Sequence, residues 1–138
     1  MKAGWRDKVK LQNYISGTFV EPDSGEWMND YSPATGEIIG KVPKSNEIDV
    51  DRAVKSAKEA LPYWSSLTHN QRADWLDKIA DCLELKYENI AYLESKDTGK
   101  PISLAREVDA YRSVKNFRFF ANMIRDLEVE YFEMEDAT

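Results

Sequence analysis

Two periods organise the apolar positions of this chain, and the change between them falls in the mid-forties. Up to Pro43 the apolar residues are mostly β-branched or aromatic and come in short runs broken by turn formers. Asn13-Tyr14-Ile15-Ser16-Gly17-Thr18-Phe19-Val20 has strand composition, with a glycine where a bend or bulge can sit. Pro22-Asp23-Ser24-Gly25 is a turn cluster, and Glu26 to Tyr31 reads as a second strand. Ser32-Pro33-Ala34-Thr35-Gly36 turns the chain again, proline fixing one φ and glycine free to take a positive one. Glu37 to Val42 is the returning strand, stopped by Pro43. The expectation is a small β-meander over 12–43, too short to be stable by itself and so packed on something else.

From 46 to 125 the period is helical. Val50, Ala53, Val54, Ala57, Leu61 and Trp64 share one face of a first helix. Ser45 or Asn46 caps its start, Glu47, Asp49 and Asp51 suit the positive end of its dipole, and Pro62 marks its fraying end. Thr68-His69-Asn70-Gln71 fits a capping box, in which threonine and glutamine side chains satisfy each other's free amides. Behind it Arg72, Leu76, Ile79, Ala80 and Leu83 form a face continued by Tyr87, Ile90 and Leu93. Gly99 followed by Pro101 stops this second helix, and Pro101 opens a third, with Ala110, Val114, Phe117, Ala121 and Ile124 on one face. Beyond Arg125 the pattern turns strand-like: Leu127, Val129 and Tyr131 alternate with Glu128 and Glu130. The fold class expected is α+β: a β-meander at 12–43, three helical segments over 46–125 and an acidic strand-like tail at 126–138, in one partial domain spanning 1–138.

Charge sharpens this picture. The chain carries a net −6, and the six acids Asp126, Glu128, Glu130, Glu133, Glu135 and Asp136 account for all of it, so residues 1–125 are formally neutral. With no basic stripe there is little Coulombic attraction to phosphate backbones, and nucleic-acid binding is disfavoured. No apolar run approaches the ~20 residues that span a bilayer, and Met1 to Lys10 lacks the apolar stretch of a secretory signal. A cytoplasmic protein without a membrane partner is the expectation. A single cysteine, Cys82, excludes an internal disulfide, and a single histidine, His69, leaves no His/Cys set for zinc.

Candidate chemistry is sparse. The six glycines form neither a GxGxxG nor a phosphate-cradling loop. Cys82 sits within a helix beside Asp81 and Glu84; acidic neighbours disfavour a thiolate, so it reads as a packed or semi-buried structural cysteine. His69 reads as a surface residue of a helix cap. The pairs Asp49/Asp51 and Asp81/Glu84 read as solvated helix faces without a role, and Arg112, Lys115 and Arg118 as the wet face of the third helix.

One resemblance rests on the order of several blocks. Asn13-Tyr14-Ile15-Ser16-Gly17, then Tyr31-Ser32-Pro33-Ala34-Thr35-Gly36-Glu37-Ile38-Ile39, then Asp49-Val50-Asp51-Arg52-Ala53-Val54 are similar to successive blocks of the aldehyde dehydrogenase N-terminus. Trp64-Ser65, Gln71-Arg72, Leu76 with Ile79-Ala80-Asp81, and Glu94-Ser95-Lys96-Asp97-Thr98-Gly99-Lys100-Pro101 continue it in order, over residues 11–125. Glu94 to Arg106 and Arg112 to Ala121 resemble the branch of that family acting on muconic semialdehydes.

The resemblance implies the N-terminal portion of an α/β aldehyde dehydrogenase-like fold, and an oligomeric, cytoplasmic oxidoreductase that uses NAD or NADP to oxidise an aldehyde to an acid. In that family a cysteine thiolate attacks the aldehyde and an activated water hydrolyses the thioester, which is covalent catalysis aided by a general base and oxyanion donors. The nucleophile, the general base and the cofactor cradle all fall beyond the position matching Thr138, and Cys82 does not match the nucleophile's motif. The chain is therefore expected to have no catalytic or cofactor-binding residue of its own and no activity alone, its partners being the remainder of the fold or homologous subunits in a homo-oligomer. One functional position is carried over: the family's monovalent-cation site, held near the backbone matching Tyr31 and by the carboxylate matching Asp97, since a hard cation suits oxygen ligands. A second reading stays open, a truncated, non-catalytic paralogue that works as a docking or oligomerisation module.

Overall fold

A computed structural model describes residues 9–127 of the chain. The β region is not a single meander. Asn13–Ile15 (β2) and Thr18–Val20 (β3) form an antiparallel hairpin of their own. Ser16 and Gly17 at its tip both have positive φ, 54° and 77°, the backbone of a two-residue type I′ turn. Thus the glycine expected to kink one strand separates two. A second sheet has the order β1-β5-β4: Val9–Lys10 (β1) runs parallel to Ile38–Pro43 (β5), which pairs antiparallel with Trp27–Tyr31 (β4). Its register shifts between Asp30 and Tyr31.

Asn46 caps Glu47–Ser66 (α1), its side chain accepting from the amides of Ile48 and Asp49 while the Asp49 carboxylate accepts from the amide of Asn46 at 3.1 Å. Pro62 does not end this helix. It lies inside it, where it removes one donor from the ladder on an exposed stretch, and the helix runs four residues further. The expected apolar face of α1 is bare: Val50, Val54, Leu61 and Trp64 are all exposed.

The capping box at Thr68 and Gln71 is present and starts His69–Leu85 (α2). The run expected to continue through Leu93 breaks at Lys86, whose φ of −106° and ψ of 12° leave the helical region, and resumes as Tyr87–Thr98 (α3). Gly99 ends α3 in the left-handed conformation. The last segment is one rod of three parts, Ile102–Leu104 (α4), π-helical turns over Ala105–Ala110, and Tyr111–Arg125 (α5), with helical backbone through both junctions. It runs back along α3 and α2. The buried apolar residues form the seam of this helical pair and are nearly all alanine: Ala73, Ala80, Ala91, Ala105, Ala110 and Ala121, with Val114. Small residues let the backbones approach closely, while the larger apolar side chains are left at least partly exposed. The strand-like reading of 126–138 lies outside the described residues except for Asp126 and Leu127, which follow the helix.

Ion pairs close one side of the pair. Arg118 Nη2 sits 2.9 Å from Asp81 Oδ1 and 2.7 Å from Glu84 Oε2, and Arg125 Nη2 lies 2.8 Å from both Asp74 Oδ1 and Asp77 Oδ2. The expectation that Asp81/Glu84 and Arg118 are merely solvated faces is therefore corrected: they are each other's partners across α2 and α5. Asp49 is corrected more strongly, being buried and not on a solvated face. Its two oxygens accept from the amide of Asp23 at 3.0 and 3.1 Å, which fastens the turn at Pro22–Gly25 to the start of α1.

Candidate functional site

The three-stranded sheet and α3 face each other across an open cleft of about 540 Å³. Val9, Leu11, Ile39 and Val42 from the sheet side and Ile90 and Leu93 from α3 make it apolar, while Asp30, Glu94, Lys96 and Asp97 add charge. Gly40 on β5 keeps β1 close: a Cβ there would meet the carbonyl oxygen of Val9 at 3.0 Å. At the far end, Gly99 rests against the turn between β4 and β5, its Cα so placed that a Cβ would come within 3.1 Å of Pro33 Cβ.

Lys100 locks the helical wall. Its ammonium reaches Glu94 Oε1 at 2.8 Å and Asp109 Oδ2 at 2.7 Å, so one cation ties the end of α3 to the π-helical turns. These two hydrogen bonds, Asp109's the stronger, hold its pKa above the ordinary lysine value. Ser95 adds a bond from its hydroxyl to the carbonyl of Lys100 at 2.7 Å. Glu94 therefore serves both the cleft and the lock. Neither Glu94 nor Lys100 stands out in sequence, because the lock depends on a turn that folds residues 94, 100 and 109 together.

The two positions carried over for a cation are placed differently. Asp97 lines the cleft from the last turn of α3 and is exposed. Tyr31 ends β4 at the register shift, with its ring 53% exposed and its phenol oxygen accepting from Asn29 Nδ2 at 3.2 Å. The cleft brings Asp97 together with Asp30, the residue before Tyr31. Among the described residues no group of three or more His, Cys, Asp or Glu side chains converges as a metal site.

The cleft does not fit a dinucleotide. It bears three carboxylates against one ammonium, which opposes a pyrophosphate, and the described glycines are dispersed, four of them spent on positive-φ turns or caps. Cys82, expected to be packed or semi-buried, is exposed on α2. The helix turns it away from the alanine seam, since 82 lies opposite Ala73 and Ala80 at 100° per residue. His69, expected at the surface, is half-buried in the first turn of α2.

Comparison with known proteins gives the class first. The fold is that of the N-terminal part of aldehyde dehydrogenase structures. PnpE in complex with nicotinamide adenine dinucleotide superposes with a TM-score of 0.85 and 37% identity, over 91% of this chain and 26% of that one. The aldehyde dehydrogenase family model matches residues 19–138, and the chain belongs to that family. Among its relatives, 2-aminomuconic semialdehyde dehydrogenase of Mus musculus is 45% identical over 120 residues, 87% of this chain and 24% of that protein. The 2-hydroxymuconic semialdehyde dehydrogenase of Pseudomonas sp. (strain CF600) is 35% identical, over 91% of this chain and 26% of its own length. The chain thus spans about a quarter of the length of the curated relatives it matches.

Proposed function

We propose that this chain is the N-terminal segment of an NAD-dependent aldehyde dehydrogenase that oxidises a semialdehyde of the muconic type to the carboxylic acid. The observation that carries this reading is the coincidence of two neighbours. The 45% identity is to a 2-aminomuconic semialdehyde dehydrogenase, and the backbone matches that of an NAD-bound relative at a TM-score of 0.85. In the reaction an aldehyde, water and NAD give the acid, NADH and a proton. None of its steps is assigned to the described residues, whose part is structural: the alanine seam and the ion-paired helices build a rigid wall, and the cleft and bare apolar faces are surfaces for the rest of an oligomeric, cytoplasmic enzyme. Within that enzyme, the carboxylate of Asp97 and the backbone at Tyr31 would hold a monovalent cation, a hard ion suited to oxygen donors.

The test is a chimera. The corresponding quarter of the mouse 2-aminomuconic semialdehyde dehydrogenase is replaced by residues 1–138, and NADH formation is followed with a muconic semialdehyde. The chimera should turn over, and potassium in place of a bulky organic cation should raise its thermal midpoint unless Asp97 is changed to alanine. A soluble, assembled chimera that fails to reduce NAD would overturn the reading. The 138-residue chain alone should give no NADH; turnover by it, abolished by Cys82→Ala, would be equally fatal.

A further inference from the structure

We draw no further inference here: the strongest candidate, the groove of about 330 Å³ between the β2–β3 hairpin and α1 where the hydroxyls of Ser16 and Ser56 meet beside Arg52 and Lys55, carries nothing, because Arg52 is spent on Asp23 at 2.9 Å, Glu59 offsets Lys55 in the same groove, and nothing in the structure shows what fills it.

Discussion

Tyr87 donates its phenol hydrogen to the main-chain carbonyl of Arg106 at 2.6 Å. The bond crosses from the first turn of α3 to the π-helical turns, and the location is informative. A π-helical stretch shifts the ladder from i→i−4 to i→i−5, which leaves carbonyls without their usual amide. Tyr87 supplies a donor there. Arg106 returns a contact, its guanidinium forking onto Glu88 with bonds of 3.0, 3.1 and 2.9 Å.

Tyr87→Phe removes the donor and keeps the ring. The part-buried carbonyl then loses this donor, so a loss of about 0.5–1.5 kcal/mol in unfolding free energy is expected. It should appear as a lower urea midpoint with unchanged m. Faster amide exchange confined to residues 105–110 would locate the effect; a midpoint equal to wild type would show that water replaces the phenol without cost.

What sequence reveals here follows from how far each interaction reaches. The capping box at Thr68 and the stop at Gly99 are fixed within four residues and were legible, whereas at Asn46 the cap was legible only as one of two choices and the return bond from Asp49 was not. The alanine seam was legible in part, because Ala110, Val114 and Ala121 keep a helical period. The π-helical turns were not: Ala105 to Ala110 contains no breaker, and the side chains that bond to these turns, Tyr87 and Lys100, come from outside them. The hairpin at Ser16-Gly17 was missed because serine rarely takes the left-handed backbone that the turn demands. The cleft was invisible for a related reason, since Asp30 and Asp97 are brought together only when the sheet docks on α3.

Asp49 offers a sharper test of a long-range contact. Its carboxylate is 3% exposed and accepts the amides of Asp23 and Asn46. Asp49→Ala strands both donors at a buried site, so about 1–3 kcal/mol of stability should be lost. Asp49→Asn keeps an acceptor oxygen and should lose less. Hydrogen exchange at the amide of Asp23 should quicken in the alanine variant; an unchanged rate would mean that the turn holds without its clasp.

Glu88 sets a pH dependence. The hydrogen bonds from Arg106 hold its carboxyl below the usual glutamate range. A carboxyl with a depressed folded-state pKa stabilises the fold above its unfolded value, and that contribution disappears as pH falls through the lower folded value. Acidification should therefore release the Arg106 fork only below the pH at which ordinary glutamates protonate, and high pH should leave it intact. A carbon-13 titration of the Glu88 carboxyl reads this directly. In Arg106→Gln the midpoint should rise to the ordinary value, and no movement on that substitution would exclude Arg106 as the cause. Glu88 is largely in solvent and Arg106 partly so, and added salt should therefore also narrow the difference.

Gly99 tests whether the end of the cleft depends on backbone conformation, on close approach, or on both. Its φ is +74°, which costs an L-residue about 1–2 kcal/mol, and a Cβ there would stand 3.1 Å from Pro33 Cβ. Gly99→Ala meets both penalties. Gly99→Asn meets mainly the second, because asparagine tolerates the left-handed region. If strain dominates, asparagine should recover most of the stability lost to alanine; if the contact dominates, the two variants should unfold together. Pro33→Gly separates these further: in that background the contact is gone, and Gly99→Ala should cost only its strain. Thermal midpoints of the four single and combined variants decide it. Equal midpoints throughout would mean that neither the left-handed backbone nor the approach to Pro33 limits what stands at this position.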